Sequence, residues 1–85
     1  MDTVLVEKKE FPTRDMGLAA SLMVDGIRYL RVEKDEEDGR RLKFIFETHP
    51  DIERIQRERA NATHVASTVH YDECLRRLKS IIHSV

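Results

Sequence analysis

The stretch from Ile27 to Glu47 reads IRYLRVEKDEEDGRRLKFIFE and predicts a β-hairpin. In its second half Leu42, Phe44 and Phe46 alternate with other side chains, which is typical of a strand with one buried face. The Asp38-Gly39 step between the two halves favours a turn, because glycine tolerates a positive φ. The rest of the chain is therefore expected to pack around this hairpin.

The alternation also predicts which residues face each other across the hairpin. The expected pairs are Val32 with Leu42, Leu30 with Phe44 on the core side, and Glu33 with Arg41. The opposite face mixes apolar and charged side chains, so we expect it to contact a protein partner or a second subunit. Its members are Ile27, Tyr29, Arg31, Lys43 and Ile45.

The segments on either side of the hairpin predict one more strand and three helices. Their expected bounds are an edge strand over Thr3–Phe11 that ends before Pro12, and helices over Arg14–Asp25, Asp51–Ala60 and Thr68–His83. The first helix would be capped by Thr13 or Asp15 and end at Gly26, and the last would be capped by Ser67 or Thr68. Val65 and Val69 are expected to pack below the last helix.

These elements together predict an α+β fold in the order β-α-β-β-α-α. The sheet is small and antiparallel, with two or three strands, and the first and last helices cover one of its faces. The length of 85 residues favours one domain over residues 1–85.

The composition narrows the class of protein. A net charge of −1 gives no overall basic field for nucleic acid. The chain has one cysteine, which cannot form an internal disulfide and favours a reducing compartment. The N-terminal residues are too charged for a signal peptide, and no apolar run is long enough to cross a bilayer. We therefore expect a cytoplasmic protein with no membrane contact.

The sequence offers few residues for chemistry. His70 and Cys74 are four positions apart on the last helix, but they lack the further ligands of a zinc site, and Cys74 belongs to the apolar stripe. The carboxylates of Asp35–Asp38 lie at a solvated turn, which does not suit acid–base catalysis. Gly17 and Ser21 lack the glycine-rich loop of a phosphate site, and as small residues they favour close packing of the first helix against the sheet. We therefore predict no catalytic residue, no metal and no cofactor.

Charge is segregated along the chain. Acidic residues concentrate at Glu33–Asp38, and the basic residues of the last two helices form a candidate basic surface: Arg54, Arg57, Arg59, Arg76, Arg77 and Lys79. Such a surface suits phosphate contacts with nucleic acid. Acidic residues interrupt it, however, and no aromatic platform accompanies it, so solvated faces or steering of a protein partner are favoured.

The chain also resembles a known group of domains. The segment from Thr13 to Gly26 has the pattern T-x-D-x-x-L-A-x-x-L-x-x-x-G, and Phe44–Glu47 gives F-x-F-E, followed by Leu75, Leu78 and Lys79. This is similar to small uncharacterised domains of phages and bacterial mobile elements, over about residues 11–82. The resemblance implies a phage or prophage accessory protein and carries no catalytic residues with it.

These observations predict a non-enzymatic interaction module that works through protein–protein contact, with a protein partner or as a homo-oligomer. The alternative is an accessory protein that binds nucleic acid through its basic helical faces.

Overall fold

The computed structural model describes residues 9–85, and within them the predicted fold class and element order are confirmed. The elements are β1 (Glu10–Thr13), α1 (Met16–Val24), β2 (Tyr29–Lys34), β3 (Leu42–Glu47), α2 (Asp51–Ala60) and α3 (Thr68–His83). The strands form one antiparallel sheet in the order β1-β3-β2. The predicted bounds of α2 and α3 are confirmed, whereas α1 is shorter than predicted at both ends.

The caps explain where the helices begin and end. Asp15 Oδ1 accepts a hydrogen bond from the backbone N–H of Leu18 at 3.1 Å, and Ser67 Oγ accepts one from His70 at 3.3 Å. Gly26 has a φ of 87°, and its N–H donates to the Met23 carbonyl, so it ends α1 as predicted.

The predicted register of the hairpin is wrong by two residues. Val32 pairs with Phe44 rather than Leu42, and Glu33 pairs with Lys43 rather than Arg41. The cause lies in the turn, where two aspartates bind backbone N–H groups beyond them. Asp35 Oδ1 accepts from the Glu37 N–H and Asp38 Oδ1 accepts from the Arg40 N–H. These turns end the pairing of β2 with β3 at Lys34 and Leu42.

A register shift between Tyr29 and Arg31 places a bulge at Leu30. Tyr29 pairs with Phe46, and the two rings meet edge to face with centroids 5.7 Å apart. One extra residue reverses the side to which a strand residue points, so Tyr29 packs against the core. Leu30 is half-buried and lies outside the core cluster, so the expected contact of Leu30 with Phe44 is wrong.

The first strand also differs from the prediction. Residues 1–8 lie outside the described part of the chain, so most of the expected strand over Thr3–Phe11 is not covered by the structure. The strand that is described, β1, continues through Pro12, which pairs with Ile45. Proline is tolerated because β1 is an edge strand of the described sheet, where a residue without an N–H does not interrupt a ladder on both sides.

The core lies between the sheet and the helices. Phe44 and Phe46 contribute from the centre of the sheet, together with buried residues from all three helices: Leu18, Ala19, Ala20, Leu22, Ile52, Ile55, Cys74 and Leu78. In residues 9–85, no helix combines the length and the apolar character needed to cross a bilayer.

Candidate binding cleft

The outer face of the sheet does not hold the five residues predicted for it. Ile27 and Tyr29 belong to the core on the other side, because of the bulge. Arg31, Lys43 and Ile45 do lie on the outer face, where Arg31 is opposite Ile45 in the central strand.

Ion pairs occupy this outer face. The Arg31 guanidinium donates to both carboxylate oxygens of Glu10 on the far strand, at 2.9 and 2.7 Å, and also to Glu33. The hydrogen bond from Arg31 lowers the pKa of Glu10 below its usual range. Ile45 is only 3% exposed, so it offers a partner almost no apolar area.

The predicted basic surface is divided. Arg54 lies among three carboxylates, with Glu58 at 2.8 Å and Asp25 and Asp51 each at 3.7 Å. The hydrogen bond to Glu58 raises the pKa of Arg54. Four of the others are exposed to solvent: Arg57, Arg76, Arg77 and Lys79. The sixth, Arg59, is half-buried, and its side chain reaches α1.

Arg59 is held against the small residues of α1. Its Nη1 donates to Ser21 Oγ at 2.8 Å, and Ser21 is fully buried. A Cβ atom added to Gly17 would lie 2.6 Å from Arg59 Nη2, so the guanidinium occupies space that any other residue at position 17 would fill. The sequence predicted that these small residues bring α1 close to the sheet, whereas the guanidinium of Arg59 from α2 lies against Gly17 and Ser21.

The chain turns back after α2 and leaves a cleft in front of this guanidinium. Ala62 takes a left-handed φ of 57°, and the N–H groups of Ala62 and Thr63 donate to carbonyls of the last turn of α2. The cleft has a volume of about 370 Å³ and is lined by Ser21, Arg59, Ala62, His64, Ala66, Thr68 and Tyr71.

The walls of the cleft are fixed by polar contacts. Tyr71 donates its hydroxyl to the Gly17 carbonyl at 3.4 Å, which ties α3 to α1. His64 Nε2 lies 3.1 Å from Asp25 Oδ2, and this pair anchors the segment between α2 and α3 to the end of α1. Thr68 opens α3, so the positive end of that helix dipole borders the cleft.

The other residues considered for chemistry do not line the cleft. Cys74 is buried, and burial raises the pKa of its thiol, which keeps it protonated and a poor nucleophile. His70 is exposed. A backbone hydrogen bond from Glu37 lowers the pKa of Asp35, whose other oxygen pairs with Arg14 at 2.9 Å. Among residues 9–85, no group of three His, Cys, Asp or Glu side chains could hold a metal ion.

A family model matches residues 8–84 of the chain. The chain belongs to the domain of unknown function family DUF5659. The match covers the strands, the helices and the cleft of this DUF5659 domain. No curated protein and no solved structure matches it.

The sequence did not predict the cleft. It placed Arg59 in a basic surface and Ser21 in helix packing, because the two residues are 38 positions apart. One sequence feature did indicate the site: Gly17 and Ser21 are four positions apart on α1, so two small residues lie on the same helix face and leave room for a side chain from another element.

Proposed function

We propose that this DUF5659 domain is a non-enzymatic interaction module that binds a protein partner at the segment joining α2 to α3. The observation that supports this is the position of exposed apolar residues. Val65, Val69 and Val85 are the large apolar side chains exposed in residues 9–85, and the first two adjoin the cleft-lining residues in sequence. Val65 is 87% and Val69 71% exposed, so the expected packing of these two below α3 is wrong.

The contact surface therefore differs from the sheet face favoured by the sequence. On the outer sheet face the charged groups satisfy one another, and Ile45 is buried. Beside the cleft, two apolar side chains stand in solvent next to polar groups that can orient a partner. An apolar centre with polar neighbours is the usual composition of a protein interface. A second copy of this chain is the first partner to test.

The resemblance to phage and mobile-element domains supports an accessory role in a phage or prophage. We place that role in the cytoplasm, where the single cysteine, Cys74, would stay reduced.

Crosslinking from a defined position tests the partner surface. A photoreactive amino acid is introduced at position 65 and, as a control, at position 40, where the Arg40 side chain is 95% exposed on the hairpin turn. The protein is irradiated in cells of its source and also in purified form. We expect one discrete adduct from position 65, none from position 40, and loss of the adduct in a Val69→Asp background.

The purified sample identifies the partner class. A crosslinked dimer there shows that the partner is a second copy, whereas an adduct formed only in cells shows a different protein. Equal adducts from both positions, or none from position 65, would refute the proposed surface.

Nucleic-acid binding is the alternative function. The observation in its favour is that Arg76, Arg77 and Lys79 are exposed on α3 and form no ion pair within residues 9–85. It predicts salt-sensitive binding that an Arg76→Glu/Arg77→Glu double variant abolishes. Absence of binding at low salt would exclude it.

A further inference from the structure

Arg54 and Arg59 lie on the same helix in opposite electrostatic settings. Arg54 has three carboxylates within 3.7 Å. Arg59 is half-buried, and within residues 9–85 its one hydrogen-bond acceptor is the neutral hydroxyl of Ser21. A partly desolvated cation with no carboxylate at ion-pair distance lacks a close partner for its charge.

We infer that the cleft binds a single oxyanion group, a carboxylate or a phosphate, with Arg59 as its main ligand. A guanidinium presents several N–H donors in one plane and matches the spacing of two oxygens on such a group. Ser21 and Gly17 already hold this plane in place, so binding does not have to immobilise a free arginine side chain.

Further donors surround the same space. The hydroxyl of Tyr71 makes a long bond of 3.4 Å to the Gly17 carbonyl, which a closer oxyanion could replace. Thr68 supplies a second hydroxyl on the cleft wall. His64, whose Nε2 contacts Asp25, adds an imidazole ring to the cleft wall.

One carboxylate competes for Arg59. Asp15 Oδ1 and Arg59 Nη2 would both contact a Cβ added to Gly17, at 3.3 and 2.6 Å, yet Asp15 and Arg59 form no ion pair. That oxygen caps α1 through the N–H of Leu18. With Asp15 in this position, no carboxylate of residues 9–85 lies within ion-pair distance of the Arg59 guanidinium, which borders the cleft and is open to an external anion.

The oxyanion has two possible sources with the same chemistry. It is either a free anion such as inorganic phosphate, or an acidic group carried by the protein partner that contacts Val65 and Val69. The inference rests on the proposed function only for the second source. The test of anion binding uses Arg59 and small probes. Anion binding can therefore be absent while crosslinking from position 65 succeeds, and crosslinking can fail while anion binding is observed.

Heteronuclear NMR of the whole chain tests the inference at constant ionic strength. The probes are inorganic phosphate, acetate, and a blocked peptide with one glutamate, each raised to tens of millimolar against a chloride reference. We expect saturable shifts at the Arg59 side chain and at the backbone of Thr68. A peptide that binds more tightly than acetate identifies a partner's carboxylate, and phosphate alone identifies a free anion.

Two variants remove the site by different means. Arg59→Gln deletes the charge, and Gly17→Ala keeps all charges but pushes the guanidinium aside. Each should weaken binding about tenfold or more, because a hydrogen bond to a charged group is lost. The matched controls are Arg57→Gln, an exposed arginine of the same helix, and Gly39→Ala, which meets open space. Both controls should bind as the wild type does.

The inference is overturned by shifts that never saturate with any probe, or by equal responses in Arg59→Gln and Arg57→Gln. Saturable binding that maps to Arg76 and Arg77 instead would overturn it as well. Circular dichroism confirms that each variant is folded, and if Arg59→Gln unfolds, Gly17→Ala alone decides the outcome.

Discussion

The bulge at Leu30 makes a quantitative prediction about two aromatic residues. Tyr29 and Phe46 are cross-strand partners with ring centroids 5.7 Å apart, so their effects on stability should be coupled. An edge-to-face pair contributes about 0.5–1.5 kcal/mol beyond the area that it buries. In an uninterrupted strand Tyr29 would point away from Phe46, and the coupling would be below about 0.5 kcal/mol.

A double-mutant cycle measures this coupling. Tyr29→Leu, Phe46→Leu and the double variant are unfolded in urea, and the free energy of unfolding is obtained for each. Phe46 is fully buried, so its change to leucine should cost about 1–3 kcal/mol, which a domain with a typical stability of about 5–15 kcal/mol survives.

A second cycle provides the control. Leu30→Ala and Phe44→Leu should be independent, because Val32 takes the place opposite Phe44. Coupling between Leu30 and Phe44 without coupling between Tyr29 and Phe46 would refute the bulge, since that result requires regular alternation along β2.

Three further results are expected. In urea unfolding, Gly26→Ala should lower the free energy of unfolding by about 1 kcal/mol or more, because the φ of Gly26 is 87°. The control Gly39→Ala should be neutral or slightly stabilising, because Gly39 is outside the left-handed region and an added Cβ meets open space. Because the pKa of Glu10 is lowered in the folded state, Glu10 stabilises the fold above its unfolded pKa, and this stability is lost as the pH falls through the folded pKa. Arg31→Gln should therefore raise the Glu10 pKa in an NMR titration and weaken the dependence of the unfolding free energy on pH in acid. Because burial raises the pKa of Cys74, the free energy of unfolding should fall as the pH rises past the usual thiol pKa of about 8.5. Cys74→Ala should reduce this pH dependence, and an unchanged pH dependence would contradict the prediction.

The helices were the most predictable part of the fold. Their periodicity and caps are local: Gly26 ends α1 as predicted, and Asp15 and Ser67 are each one of the two cap residues that the sequence allowed. α2 and α3 even begin and end at the predicted residues.

The hairpin was predictable only in outline. Tyr29 and Leu30 are both apolar, so the sequence pattern does not show which of them faces the core, and a bulge leaves no local mark there. The register depended on how Asp35 and Asp38 bind nearby N–H groups, which the turn residues alone did not reveal.

The cleft could not be predicted from local patterns. It forms because α2 places Arg59 on Ser21, and because Tyr71 of α3 reaches Gly17 across 54 positions. Such contacts depend on the packing of all three helices. In the sequence Arg59 is one of several similar basic residues, and only the tertiary structure separates it from Arg54.

Whether Arg59 is held ready for an external oxyanion is decided by the structure of crystals grown from phosphate. We expect one anion in the cleft with an oxygen about 2.7–2.9 Å from an Arg59 Nη atom, while Nη1 stays on Ser21 Oγ. An empty cleft with Arg59 paired to Asp15 would contradict it.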